Sequence, residues 1–133
     1  MPRLSVDPPV RTSVATATFL QTITASDKGK PVGRAVWASS PTQPGAVQIV
    51  ALEVHPDRAR QGMGSLLMTR LFDEANQRAR NFNTPLRRIW IVIEQKTQIV
   101  SRGFLTRHGF HHVKTLDALL KDEAAMVYVK SFD

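Results

Sequence analysis

The sequence predicts an α/β sandwich built on a mixed β-sheet. Three features point there: two runs of strand composition joined at Asp27-Lys28-Gly29-Lys30, two near-continuous apolar runs at 47–54 and Arg88–Glu94, and helical spacing between those runs. The 133 residues suit one domain that buries about two-thirds of its unfolded surface.

Residues 1–12 read as an extended lead-in, because Pro2, Pro8 and Pro9 oppose regular structure. The domain is expected over 13–133. Residues 14–24 are rich in Val, Thr, Ile and Phe, a strand composition. Residues 31–39, with Val32, Val36 and Trp37, form the second arm of an antiparallel hairpin. Residues 40–45 contain two prolines and a glycine and read as a loop. The apolar run 47–54 predicts a strand covered on both faces, as in parallel sheets.

From Gly62 the period changes. Met63, Leu66, Leu67, Leu71, Ala75 and Ala79 recur at three- and four-residue steps, with Arg70, Glu74 and Arg78 on the other side. This predicts an amphipathic helix to about Arg80, stopped before Pro85. Arg88–Glu94 is a second buried-type strand, 97–108 a short helix ended by Gly109, 111–115 a candidate strand and 124–130 a closing strand.

Composition excludes several chemistries. There is no cysteine, hence no disulfide, cysteine-based zinc site or thiol nucleophile. Eighteen basic against 11 acidic residues give a net charge of +7, which favours an anionic partner: nucleic acid, a phosphorylated cofactor or an acidic protein surface. Nucleic acid is the less favoured of these, since no zinc-finger or RRM signature is present. No apolar run approaches the roughly 18–20 residues of a membrane helix, and 1–10 lacks the apolar core of a secretory signal. A cytoplasmic protein with no membrane partner is the default expectation.

The most informative stretch is Leu52-Glu53-Val54-His55-Pro56-Asp57-Arg58-Ala59-Arg60-Gln61-Gly62-Met63-Gly64-Ser65-Leu66-Leu67. It reads as a buried strand, a basic turn and a helix whose first turn carries two glycines. The first turn of a helix has unpaired N–H groups and the positive end of the dipole. Glycines allow close approach to those groups, and Arg58 and Arg60 add charge, so the stretch suits a pyrophosphate. A Rossmann fingerprint would need a third glycine where Leu67 stands, and the Gly-Lys-Ser/Thr of a P-loop is absent.

Here the sequence resembles the GNAT superfamily of acetyl-CoA-dependent N-acetyltransferases. Leu52, Val54 and Pro56 match the L-x-V-x-P part of the family's central motif, and Gly62 and Gly64 match its glycine part. Phe104-Leu105-Thr106-Arg107-His108-Gly109-Phe110 is similar to a second signature closing in G-F, and Met126-Val127-Tyr128-Val129 to the last strand. The resemblance spans about 18–130.

It implies a GNAT-like mixed sheet: an antiparallel hairpin plus splayed parallel central strands, flanked by helices, with acetyl-CoA as cosubstrate in the splay. Backbone near Leu52 and Val54 would pair with the pantetheine arm, and the N–H near Val54 would polarise the thioester carbonyl. Amides of about Arg60, Gln61, Gly62, Met63, Gly64 and Ser65 would hold the pyrophosphate, with Arg58 alongside. An amine then attacks directly and CoA thiolate leaves. Three positions depart from the family pattern. The Gln/Arg heading the glycine motif is Ala59, an Asn that often contacts CoA is Gln98, and the Tyr that commonly protonates the thiolate falls at Leu105.

The base must be a carboxylate, a His or a water chain. In relatives it often sits early on the central strand, where Gln48 and Val50 do not titrate. Glu53 is the nearest carboxylate. Strict alternation aims it away from the face of Gln48, and a β-bulge would reverse that. Glu94 is the second candidate, and Tyr128 could serve as acid if it points inward rather than presenting its hydroxyl at the surface. His108, His111 and His112 lack metal-ligand spacing, and His55 reads as a loop residue. Arg78, Arg80, Arg87 and Arg88 read as a solvated basic rim, and Trp37 and Trp90 as core or cleft lining.

Typical relatives place a strand and two helices ahead of the hairpin, where this chain is expected to open directly into it. An open acceptor side would favour a bulky amine, such as a protein or peptide, or a wall supplied by a second copy in a homodimer. Two readings stand: an N-acyltransferase, and a GNAT-like module that binds acyl-CoA or another anion with little turnover.

Overall fold

The computed structural model describes residues 10–17, 20–40, 43–58, 61–94, 101–116 and 125–132. They form one seven-stranded sheet, ordered β1-β2-β3-β4-β5-β7-β6. β1 (Val10–Ala17), β2 (Leu20–Asp27), β3 (Lys30–Ser40) and β4 (Gln43–Val54) are successive antiparallel neighbours. The chain then crosses through a 3-10 turn at Pro56–Arg58 and helix α1 (Met63–Asn81) to β5 (Arg88–Glu94), which runs parallel to β4. Helix α2 (Arg102–Arg107) and β6 (His111–Leu116) follow, and β7 (Ala125–Ser131) returns between β5 and β6, antiparallel to both. The mixed sheet with one parallel central pair is the expected fold class.

The helical period does what the sequence implied. Met63, Leu67, Met68, Leu71, Ala75 and Ala79 are the buried residues of α1, and this stripe lies over β2, β3 and β4. After Asn81 the Thr84 N–H bonds the Ala79 carbonyl at 2.9 Å and Asn83 takes a left-handed φ of 55°, which turns the chain towards β5. α2 begins at Ser101, whose hydroxyl accepts from the Phe104 N–H at 3.1 Å, an N-cap that ties off one otherwise unpaired donor. Leu105 of α2 is fully buried in the same core as the α1 stripe.

Across the middle of the sheet, Thr16, Gln21, Trp37, Ile49, Ile91, Tyr128 and His112 are successive cross-strand partners. Gln21, Trp37, Ile49, Ile91 and Tyr128 in this row are buried.

Four expectations are corrected. A strand does precede the hairpin: β1 starts at Val10, inside the expected lead-in of 1–12, and forms one edge of the sheet. The expected strand over 14–24 is two strands, β1 and β2, separated by two residues, which leaves no room between them for a pair of helices. Composition could not reveal that reversal, because residues on both sides of it suit a strand equally. The expected loop over 40–45 is shorter, since β4 begins at Gln43 and Pro44 lies near its start. Finally, neither apolar run is covered on both faces. Ile89, Ile91 and Ile93 are buried while Val92 is 37% exposed, and Val50 of β4 is 51% exposed. Both helices lie on one face, and among the described residues no helix covers the other.

Candidate functional site

β4 and β5 are paired only from Ala46 and Arg88 to Ile49 and Ile91. β4 continues to Val54 and β5 to Glu94 without pairing to each other, so the strands part beyond Ile49. The register between β3 and β4 slips at the same place: Val36 opposes Ala51 and Trp37 opposes Ile49, leaving Val50 as a bulge. Peptide groups on the β5 side of β4 past Ile49 therefore lack a ladder partner among the described residues. The wedge lies at the carboxyl ends of two parallel strands, where crossover sheets take their ligands.

The bulge also decides where Glu53 points. Before it, Val47 and Ile49 are the buried residues; after it, Leu52 is. This change of parity places Glu53 on the same open face as Gln48. There Glu53 is directly opposite Arg34, and its Oε1 accepts a hydrogen bond from the Arg34 Nε. Val54 is half-buried against the core.

β4 leads through the 3-10 turn into α1. Gly62 caps that helix with φ 78°, a left-handed conformation that glycine adopts without a steric penalty. Among the described residues no side chain caps α1, and its first internal bond is Leu66 N–H to the Gly62 carbonyl at 2.9 Å. The N–H groups of Met63, Gly64 and Ser65 thus have no partner within the helix and lie at its positive end.

The described side chains of the turn have partners of their own. Arg58, expected beside a phosphate, pairs with Asp27 at the end of β2. Gln61 Nε2 donates to the Asp57 carbonyl at 3.3 Å, and Met63 is buried in the core. Ser65 Oγ lies 3.1 Å from His108 Nε2, and Gly64 sits beneath Phe104, whose Cε1 would be 3.2 Å from an added Cβ. The described turn therefore offers an anion its backbone N–H groups and, beside them, the Ser65 hydroxyl. Ala59, Arg60 and Gln98 lie outside the described residues.

Tyr128 is buried on β7, not presented at the surface. It is the cross-strand partner of Ile91, the last β5 residue paired to β4, and its ring centroid lies 5.4 Å from that of His112. The backbone of Glu94 pairs with Ala125 at the end of β5. His55 Nδ1 accepts from the Asp57 N–H at 3.2 Å and shapes the turn, as a loop residue would. Trp37 is core, whereas Trp90 is half-buried on the other face beside Gln48.

The structure also brings His108 against Ser65, a contact that the sequence did not single out. The four-residue spacing of Phe104 and His108, which puts both on one helix face, was the available signal. Burial, followed by the nearby charges of Lys130 and Arg107, lowers its pKa from the ordinary 6.5, so the ring is neutral in neutral solution.

A model of the acetyltransferase (GNAT) family matches residues 6–110. Among curated proteins none matches the chain. Solved structures share its architecture. A protein from Desulfovibrio desulfuricans assigned to the GNAT acetyltransferases superposes with a TM-score of 0.70 at 18% identity, over 85% of this chain and 69% of that one. The ribosomal-protein-S18-alanine N-acetyltransferase from Escherichia coli gives 0.69 at 17% identity, over 87% and 71%. A protein assigned as a streptothricin acetyltransferase from Bacillus anthracis, solved with acetyl coenzyme A, gives 0.69 at 13% identity, over 99% and 91%. With the parted parallel strands, the bulge and the glycine-capped helix in the order of the motif, the chain belongs to the GNAT acetyltransferase family.

Proposed function

We propose that the chain is an acetyl-CoA-dependent N-acyltransferase acting on a primary amine. The observation that carries this reading is the coincidence of three features: β4 and β5 part after Ile49 and Ile91, β4 bulges at Val50, and the strand feeds an α1 terminus with no side-chain cap. A long acyl carrier with an anionic head fits that set. Unpaired β4 peptide groups near Leu52 and Val54 suit the amides of a pantetheine arm, and the N–H groups of Met63, Gly64 and Ser65 suit a pyrophosphate.

In this reading an N–H near Val54 polarises the thioester carbonyl. The amine nitrogen forms the new C–N bond, the C–S bond breaks, and the thiolate departs. Glu53, on the open face and held by Arg34, takes the proton released by the amine. Tyr128, one strand beyond the parting point, is the candidate proton donor to the thiolate, and Glu94 at the end of β5 is a second carboxylate for the base. The face bearing Glu53 has no helix over it among the described residues and exposes Leu20, Val50 and Val92. Such a surface suits a bulky acceptor, a protein terminus or lysine, or a wall from a second copy of the chain.

One observation favours a second reading, a binding module with little turnover. Leu105, where relatives commonly carry the acidic tyrosine, is fully buried in the core and supplies no proton.

Calorimetric titration of acetyl-CoA into the wild type and Gly62→Glu tests the first reading, followed by thiol release with amine and peptide acceptors. Micromolar binding lost in the variant, with turnover on one acceptor class, is the expected result. Binding without turnover on any acceptor favours the module, and no binding to the wild type removes the acyltransferase reading and leaves a module for a different anion.

A further inference from the structure

α2 lies across the first turn of α1 at two points. Phe104 covers Gly64, and one turn later His108 brings Nε2 within 3.1 Å of Ser65 Oγ. The imidazole is held on several sides. Its centroid is 4.5 Å from that of Phe104 and 6.4 Å, edge-on, from that of Phe72. Its own carbonyl accepts from Lys130 Nζ at 2.7 Å, and that ammonium lies over the rings of Phe72 and Phe132 at 5.0 and 5.4 Å. Ser65 is the third residue of α1 and bears the one side-chain hydroxyl between Gln61 and Ser65, beside the backbone donors of the turn.

We propose that His108 is a positioning residue of the anion site at the start of α1: it orients the Ser65 hydroxyl towards bound phosphate and takes up a proton as that phosphate arrives. This rests on the acyl-CoA reading and adds a residue that the glycine motif does not contain.

The chemistry follows from what each group can donate. A neutral imidazole has one N–H and one bare nitrogen, whereas the imidazolium donates from both; a serine hydroxyl donates once and accepts. When Nε2–H donates to Oγ, the hydroxyl proton is free to point at a phosphate oxygen. Protonation of His108 fixes that direction, and a phosphate oxyanion nearby favours the protonated ring.

Without ligand, the charges acting on the ring oppose protonation: Lys130 from β7 and Arg107 from α2 itself. α1 faces it with the Ser65 hydroxyl and the Phe72 ring, and the α1 charges Arg70 and Glu74 are paired with each other at 2.8 Å. Phosphate binding and proton uptake are thereby linked.

The test is calorimetric titration of coenzyme A into the wild type, His108→Gln and Ser65→Ala between pH 6 and 8, in two buffers of different ionisation enthalpy. Gln keeps an N–H donor for Ser65 but cannot titrate. The free ligand's phosphates titrate alike in all three experiments, so a difference between the wild type and His108→Gln reports His108 and its coupling to the bound phosphate. The expected result is greater proton uptake by the wild type than by His108→Gln, and an affinity that rises more steeply as pH falls, by up to about tenfold per pH unit. Ser65→Ala, an exchange small enough to leave the fold intact, should weaken binding several-fold. Superimposable pH profiles and equal proton uptake in the wild type and His108→Gln would overturn the assignment while leaving the acyl-CoA reading standing. A wild type that does not bind coenzyme A removes that reading, and this proposal with it.

Discussion

Arg34 of β3 and Glu53 of β4 are direct cross-strand partners on the open face, joined by a hydrogen bond from guanidinium to carboxylate. Both side chains are about half exposed, at 56% and 46%, so the pair contributes only about 0–1 kcal/mol to stability. Glu53→Gln should leave the denaturation midpoint nearly unchanged. If Glu53 is the base, the same substitution lowers turnover by roughly 10²–10⁴. Urea titration and thiol release on one protein sample separate the two effects, and unaltered turnover would strike Glu53 from the mechanism.

Asp27 and Arg58 form a more enclosed pair, with side-chain exposures of 14% and 26%. It ties the end of β2 to the turn before α1. A double-mutant cycle with Arg58→Ala and Asp27→Ala should give a coupling of about 0.5–3 kcal/mol. Arg58→Ala should be the costlier single change, because it strands the more buried carboxylate without its counter-charge. Equal costs with no coupling would show the pair to be incidental.

The two glycines of the motif should respond differently. Gly62 needs its left-handed φ, so Gly62→Ala should cost about 1–2 kcal/mol whatever surrounds it. Gly64 is constrained by a neighbour, the Phe104 ring, so Gly64→Val should cost about 1–3 kcal/mol through overpacking. Repeating both changes in a Phe104→Ala background should relieve only the second, as read from denaturation midpoints.

His108 gives stability a pH dependence of known sign. Its folded-state pKa lies below the ordinary 6.5, so on acidification the unfolded chain takes up this proton first. The contribution is fully present above about pH 6.5 and is lost as pH falls towards the folded-state value. His108→Gln should flatten the stability profile in that window, measured by urea denaturation from pH 5 to 8. A variant whose profile parallels the wild type would refute the sign and the cause together.

Much of this architecture was legible because it rests on local chemistry. α1 is written in a three- and four-residue apolar period, its start in glycines, and β5 in a run whose bounds match the expected ones. What stayed hidden depends on register. The reversal between β1 and β2 lies within residues of uniform strand propensity. The Val50 bulge, which sets the direction of Glu53, becomes visible only once Val36 and Trp37 are paired across it. Arg58 looked available because Asp27 is remote in sequence, and His108 looked inert because Ser65 is. Charge near a motif does not reveal which charges are already spoken for.

The position of β7 between β5 and β6 has a consequence for how the molecule comes together. β1 to β4 are joined by short reversals and can form as soon as they leave the ribosome, since their contacts are local. β6 is made earlier than β7, yet its only strand partner among the described residues is β7. Until 125–131 is synthesised, β6 lacks this partner and the flank of β5 that β7 covers stands open as an unprotected edge. A nascent chain halted before residue 125 should thus carry a folded meander and an aggregation-prone second half, and the last strand acts as the latch that commits the sheet.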